Sequence, residues 1–395
     1  MPSEKDLFLN YVGQTSPSPL LIEVDRAEGI WIYGKSNEKY LDLVSGVSVS
    51  NVGHSHPAVI KAAKQQLDKY AHLMVYGEII QSPQVNYARK LLENLPQSFG
   101  SVYFVNSGSE AIEGAMKLAK RCTGRSKFVS FKNSYHGSTH GALSIQGVEY
   151  YRNAFRPLLP DMYQVEFNNP DSLLEIDDKC AAVIVEPIQA EAGIIHPVDG
   201  FLSKLRKRCD ETGAMLIFDE IQTGFGRTGD LFALYLYNVV PDILAIAKAM
   251  GGGLPLGAFI SSRPNMSKLS VDPVLGHITT FGGHPLSCAT GLAAFDLILE
   301  NKLHLEANNK GRRFVENIKD HRHIKSLRGS GLFYAVELHS PDLLSRFVDS
   351  GVKNGMILDK FLFCNNAFRI APPLTITNDE IDLASEMIIS ALDKL

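Results

Sequence analysis

Lys248 is the single lysine of the apolar stretch PDILAIAKAMGGG, and Asp219 closes the apolar run of LIFDEIQTGFGRTG. A lysine flanked by Ile246, Ala247, Ala249 and Met250 loses hydration on burial. Its pKa then falls, and the neutral amine becomes a usable nucleophile and base. An acid at a strand end can face a protonated ring nitrogen. The pair therefore suits pyridoxal phosphate, a cofactor that needs a Schiff-base lysine and a carboxylate beside its pyridinium. A lysine of this kind taken alone is more often a side chain snorkelling from a turn. Its neighbours weigh for chemistry.

NSGSEA (106 to 111) follows the strand-like VYFV directly and opens a helix near Glu110. Gly108 lets the backbone approach an anion, Ser109 adds a hydroxyl, and the helix start offers free N–H groups, so the segment reads as a phosphate cup. The same letters also make an ordinary serine cap. NSYHGS (133 to 138) follows KFVSF, which sends Tyr135 and His136 from a neighbouring strand end, where a flat ring can stack on a pyridine. VEPIQAEAG (185 to 193) and IFDEIQTG (217 to 224) bring Glu186, Glu191, Asp219, Glu220 and Gln222 to two strand ends. So much acid is costly unless cations face it. A pyridinium, Lys248 and an arginine are the expected partners. TTFGGHP (279 to 285) adds a threonine able to reach phosphate, and GFGRTG (224 to 229) matches a dinucleotide fingerprint only in its letters. EIQT separates it from the strand and no helix start follows Gly229.

The elements that must position these residues alternate. VYFV (102 to 105), KFVSF (127 to 131), AAVIVEP (181 to 187) and AMLIFDE (214 to 220) read as strands. EAIEGAMKLAKR (110 to 121) puts Ile112, Ala115, Met116 and Ala119 on one helical face, and FLSKLRKRCDETG (201 to 213) is a helix stopped by Gly213. Repeated β-then-α units predict an α/β fold with a mainly parallel central sheet in a large domain. IKSLRGSGLFYAVEL (324 to 338) reads as two strands about a glycine-rich turn in a smaller α+β domain, and residues 20 to 43 are strand-rich with an EG turn. The expected division is 1–50, a segment joining the small domain; 51–290, the large cofactor-binding domain; and 291–395, the small C-terminal domain.

Composition narrows the function class. A chain of 395 residues with 45% hydrophobic and 21% charged content is typical of a globular enzyme. A formal charge of -4 and the lack of a basic, aromatic-interleaved run argue against nucleic acid. No stretch is long and apolar enough to cross a bilayer. Five scattered cysteines without C-x-x-C read as reduced thiols in a cytoplasmic protein. His54 and His56 in GHSHP sit in a turn without nearby acids and read as structural, so no metal is expected.

Taken together, NSGSEA, YHGS, EPIQAE, DEIQTGFGRTG, AKAMGGGLPLGA, TTFGGHPLS and RIAPPLT resemble the class III (ω-amino) aminotransferases that use pyridoxal 5'-phosphate, nearest the acetylornithine, ornithine and 4-aminobutyrate group. The resemblance runs from about residue 15 to the C-terminus. It implies fold type I and a homodimer with shared active sites. It gives Lys248 the Schiff base, Asp219 the pyridine nitrogen and Gln222 the ring hydroxyl. Gly108 and Ser109 would take phosphate, Tyr135 would stack on the ring, and His136 and Glu186 would join the cofactor site. Thr280 would reach the phosphate in the neighbouring subunit. Arg369 would grip the α-carboxylate of glutamate or 2-oxoglutarate, and Glu191 would cover that arginine when the donor's amine lies far from a carboxylate.

The chain also departs from the family pattern. Ser138 stands where that group usually has a substrate-binding arginine, Ala190 replaces a glycine and His284 an asparagine. Losing an arginine to carboxylate contact of roughly 1.5 to 3 kcal/mol alters affinity by about one to two orders of magnitude. The expected activity is transfer from an ω-amino compound to 2-oxoglutarate by a ping-pong cycle. Ser138 keeps open a diamine or lysine-type donor. An aminomutase or decarboxylase on the same fold is disfavoured by the joint presence of Glu191 and Arg369, and a non-catalytic cofactor-holding protein by Lys248.

Overall fold

A computed structural model describes residues 2–395. Its strands, in chain order, are β1 (Val24–Glu28), β2 (Trp31–Gly34), β3 (Lys39–Asp42), β4 (Ser101–Val105), β5 (Lys127–Phe131), β6 (Met162–Val165), β7 (Cys180–Val185), β8 (Met215–Asp219), β9 (Ile243–Ile246), β10 (Gly257–Ser261), β11 (Ile324–Ser330), β12 (Phe333–Leu338), β13 (Met356–Ile357), β14 (Asp359–Lys360) and β15 (Ala367–Ile370). Seven of them form the central sheet, in the order β4-β10-β9-β8-β7-β5-β6. β10 runs antiparallel to both neighbours, and the remaining pairs are parallel.

Strands β7, β8 and β9 are buried at every position, as expected where helices cover both faces of a parallel sheet. The helix Gly108–Thr123 buries Ile112, Ala115, Met116 and Ala119, the face expected from their spacing. It lies so close to β10 that a Cβ on Gly114 would stand 2.2 Å from the Phe259 ring, and Gly124 ends it in a left-handed cap at φ 70°. The helix Phe201–Thr212 ends at Gly213, φ 70°.

Two smaller sheets flank this layer. β11 and β12 form the hairpin expected from the glycine-rich turn, within an antiparallel sheet of order β11-β12-β15-β14. β1 and β2 turn at Gly29, φ 58°, β2 pairs with β3, and β13 adds to β3 in parallel through Met356↔Leu41 and Ile357↔Asp42. The N-terminal strands thus share a sheet with a strand from late in the chain. Arg227, fully buried, joins three distant parts: it donates to the carbonyls of Leu332 and Pro372 and to Asn51 Oδ1. That contact explains GFGRTG, whose residues form turns rather than a dinucleotide loop. His54 bonds Asp42 at 2.7 Å, and His56 caps the helix Pro57–Leu67 by accepting from Ala58 N–H. Among the described residues no helix is long and apolar enough to cross a membrane.

Candidate active site

Because β4, β5, β7, β8 and β9 all point the same way, the segments leaving them converge at one edge of the sheet, where ligands of α/β proteins bind. A cavity of about 420 Å³ opens there. Gly108, Ser109, Tyr135, His136, Glu186, Asp219, Gln222 and Lys248 all line it. Ser138 is exposed, within 3.2 Å of the Tyr135 hydroxyl. Glu191 and Arg369 form a buried ion pair at 2.6 Å that adjoins the cavity through Gln222. Thr280 is not on the wall. Its neighbour Thr279 accepts from the Asn106 side chain at 3.1 Å, in a loop beside the helix start.

The helix start is built from both readings of NSGSEA at once. Ser107 caps it, accepting from Glu110 N–H at 3.2 Å, a contact of the kind worth about 1 kcal/mol, while Gly108 and Ser109 begin the helix beside the cavity. A Cβ on Gly108 would meet Ile221 at 2.8 Å, and one on Gly137 would meet Ser109 Oγ at 2.1 Å. The tyrosine loop therefore rests directly on the helix start, and Ser109 Oγ accepts from Ser138 N–H at 3.3 Å.

Lys248 follows β9 with φ at 54°, a backbone region that residues with a Cβ rarely enter and one found at functional sites. Burial, and after it Arg369, push its pKa down to about 8, although Glu191 and Asp219 oppose the shift. The sequence expectation of a depressed lysine rested on apolar neighbours, and the guanidinium adds to their effect. Asp219 Oδ2 meets His136 Nδ1 at 2.8 Å, and its Oδ1 accepts from Ile221 N–H. Burial pushes Glu186 up to about 7 against the pull of His136. Glu191 also pays for burial, but Arg369 and then Lys248 outweigh it and hold its carboxyl below the usual range.

Glu220 differs from expectation. It faces away from these cations and is held by Ala233 N–H, Leu234 N–H and the Thr223 hydroxyl, and burial pushes it up to about 7. Residues that sequence reasoning passed over also line the cavity: Val49, Asn106, Ile188 and Ile221. Val49 follows Ser45, Gly46, Val47 and Ser48, all at φ between 54° and 63°, a left-handed turn that costs non-glycine residues roughly 1 to 2 kcal/mol each. Their types carry no chemical signal.

Two observations fit pyridoxal phosphate. Gln222 Oε1 is buried on the cavity wall without a hydrogen-bond partner, as a ring hydroxyl would require. Gly108 and Ser109 open the helix on the cavity wall, where its first N–H groups would hold a phosphate.

Comparison with known proteins gives the family. An acetylornithine aminotransferase of Methanosarcina mazei is 39% identical over 389 residues, covering 96% of this chain and 94% of that relative. The solved ornithine aminotransferase of Toxoplasma gondii superposes with a TM-score of 0.91 at 29% identity, over 100% of this chain and 96% of that one. An amine transaminase from an uncultivated Pseudomonas species, solved with the cofactor bound, gives 0.88 at 27%, over 97% of each. The aminotransferase class-III family model matches residues 12–392, and with it the lysine, the acid and the helix start that meet around one cavity have their explanation: this chain belongs to the class III aminotransferases, enzymes dependent on pyridoxal 5'-phosphate.

Proposed function

We propose that the chain moves an amino group from an ω-amino compound, of the acetylornithine, ornithine or 4-aminobutyrate type, to 2-oxoglutarate in two half-reactions on one site, by a ping-pong cycle. The observation that carries this reading is the Glu191–Arg369 pair. The guanidinium is fully buried, with Glu191 on Nη2 at 2.6 Å and the Asp359 carboxylate 3.6 Å from Nη1, and its Nε has no hydrogen-bond partner. A substrate carboxylate that displaced Glu191 would find a two-pronged donor ready. With Glu191 in place the charge is covered, which suits a donor whose amine lies far from any carboxylate.

The cofactor supplies an aldehyde for amino groups and a ring that spreads negative charge. Lys248 is placed to hold that aldehyde at rest and then, as a neutral amine, to move the proton at the substrate carbon. Asp219, backed by His136, would keep a proton on the ring nitrogen. Tyr135 would pack on the ring, and Gly108 and Ser109 would hold the phosphate at the helix start. A diamine or lysine-type donor is the second reading. It is favoured by Ser138, which leaves Lys248 and His136 as the basic side chains on the cavity wall.

We also infer a homodimer, supported by the exposed apolar segments that hold Ile80 and Phe281 and by Thr280 lying off its own cavity, and a cytoplasmic location, supported by five free cysteines. The test is a half-reaction screen. Purified holoenzyme is mixed separately with glutamate, acetylornithine, ornithine, 4-aminobutyrate, lysine and putrescine while the absorbance of bound cofactor is followed. Glutamate and at least one ω-amine should discharge it. In Arg369→Ala the glutamate reaction should slow at least about tenfold more than the amine reaction, since a charge-assisted contact is lost. Silence towards glutamate would remove the proposed acceptor.

A further inference from the structure

Glu191 holds more than Arg369. Its Oε2 accepts from Leu362 N–H at 3.2 Å, and its backbone carbonyl accepts from Phe363 N–H at 3.0 Å. From the other side, the Tyr151 hydroxyl donates to the Leu362 carbonyl at 3.2 Å. Leu362 and Phe363 are therefore suspended between the switch carboxylate and one tyrosine. The Phe363 ring lies edge-on to Tyr151 at 5.4 Å and 6.5 Å from Tyr135, which lines the cavity and reaches Ser138 with its hydroxyl. Leu362 itself is 46% exposed, so little packing holds it apart from these bonds.

The same carboxylate thus ties down the arginine and the aromatic segment. Turning Glu191 off Arg369 to admit a substrate carboxylate also withdraws Oε2 from Leu362 N–H, and the segment keeps only the Glu191 backbone carbonyl and the Tyr151 hydroxyl of its three anchors. The charges near it point to the donor it faces. Arg328, the guanidinium beside Cys364, is fully engaged by Glu337, the Gly193 carbonyl and the Cys364 sulfur. Around Tyr135, Ser138, Phe363 and Tyr151 the surface offers ring faces and hydroxyls. These accept an alkyl or ammonium group and offer a carboxylate hydroxyls but no cation.

We propose that Leu362 and Phe363 form a specificity-determining wall of the amine-donor subsite, locked by Glu191 while it covers Arg369 and released when a dicarboxylate takes that arginine, and that the donor's remote end carries no negative charge, which among the donors proposed above selects a diamine over acetylornithine, ornithine or 4-aminobutyrate. This rests on the switch reading of Glu191 and Arg369 and goes further, to the residues that choose the donor.

Two measurements on the holoenzyme test it. The first is amide hydrogen exchange across residues 358–366 with glutarate, an unreactive dicarboxylate, at concentrations that fully inhibit the glutamate half-reaction. Exchange at Leu362 and Phe363 should quicken by roughly tenfold, since local opening sets the rate. In Arg369→Ala glutarate should have no such effect. Unchanged exchange in the wild type overturns the coupling. The second compares pentylamine, 1,5-diaminopentane and 5-aminopentanoate, equal in length and differing in their remote ends. The carboxylate should be the poorest donor, and Phe363→Ala should lower kcat/KM for the best of the other two about tenfold more than for glutamate. A preference for 5-aminopentanoate, or equal losses in Phe363→Ala, overturns the donor assignment. Failure of glutamate itself to react would instead sink the switch reading, so the two failures are distinguishable.

Discussion

Lys248 works against two ordinary preferences, a backbone in the left-handed region and an amine lodged in a cavity wall beside a guanidinium. The second has a measurable consequence. In the cofactor-free chain its pKa lies at about 8 rather than 10.5, with burial the leading cause. Between those values the folded chain has released a proton that the unfolded chain still holds, so folding gains stability as pH rises through that window. Uptake of the cofactor's aldehyde needs the neutral amine. The rate of reconstitution should therefore climb with pH and level off above about 8, as followed by the absorbance of bound cofactor. A midpoint near the ordinary lysine value would show that burial does not set the amine's basicity. Lys248 and Asp219 were legible in the sequence because their types are rare at the ends of apolar runs. Glu186 was legible as an acid at the site, but its contacts were not. It accepts from Tyr135 N–H at 2.8 Å and from Ala190 N–H at 2.9 Å, joining two loops through backbone groups that no side-chain pattern announces.

At the scale of elements, the site depends on how closely the tyrosine loop and the helix Gly108–Thr123 approach each other. Gly137, at φ 122°, stands where a Cβ would lie 2.1 Å from Ser109 Oγ. Gly137→Ala must therefore push the loop off the helix start or twist it out of its left-handed conformation. Overpacking of this kind costs about 1 to 3 kcal/mol, which would weaken cofactor binding by roughly one to two orders of magnitude if it falls on the bound state. Equilibrium titration of the cofactor-free variant with pyridoxal 5'-phosphate measures it, and wild-type affinity would mean that the loop and the helix are not coupled. Strands β7 and β8 were readable because burial on both faces leaves uninterrupted apolar runs, and β5 and the half-buried edge strand β4 because their short apolar runs stop at turn residues. β10 was not recognised, and its antiparallel course is fixed by pairing with β4 and β9 rather than by composition. The helix Glu4–Tyr11 was missed for a related reason. It has no buried residue and is signalled only by the capping box of Ser3 and Asp6. Leu362 and Phe363 gave no signal at all, since their place depends on main-chain bonds to Glu191.

At the scale of the whole molecule, the question is what covers the segments around residues 73–80 and 274–281. Ile80 is 92% exposed and Phe281 55%, with Val274 and Ile278 also uncovered, and the two segments touch through His72 and Phe281 at 4.8 Å. Patches of this sort mark association surfaces. Thr280 lies within the second segment and off its own chain's cavity, which fits a side chain that serves the site of a second copy. If so, Lys248 and Thr280 of any one site come from different chains, and damage to the two can be sorted by mixing. Thr280→Ala should bind cofactor more weakly, and Lys248→Ala should not turn over at all. A mixed dimer of the two variants, co-expressed with different tags and isolated by both, has one site with a lysine from one chain and a threonine from the other, and one site with neither. At cofactor concentrations too low for Thr280→Ala alone, that dimer should recover about half of the wild-type turnover, because one of two symmetric sites is whole. Turnover no greater than the average of the two parent dimers would place both residues in the same chain's site and leave the exposed threonine loop without a part in the chemistry.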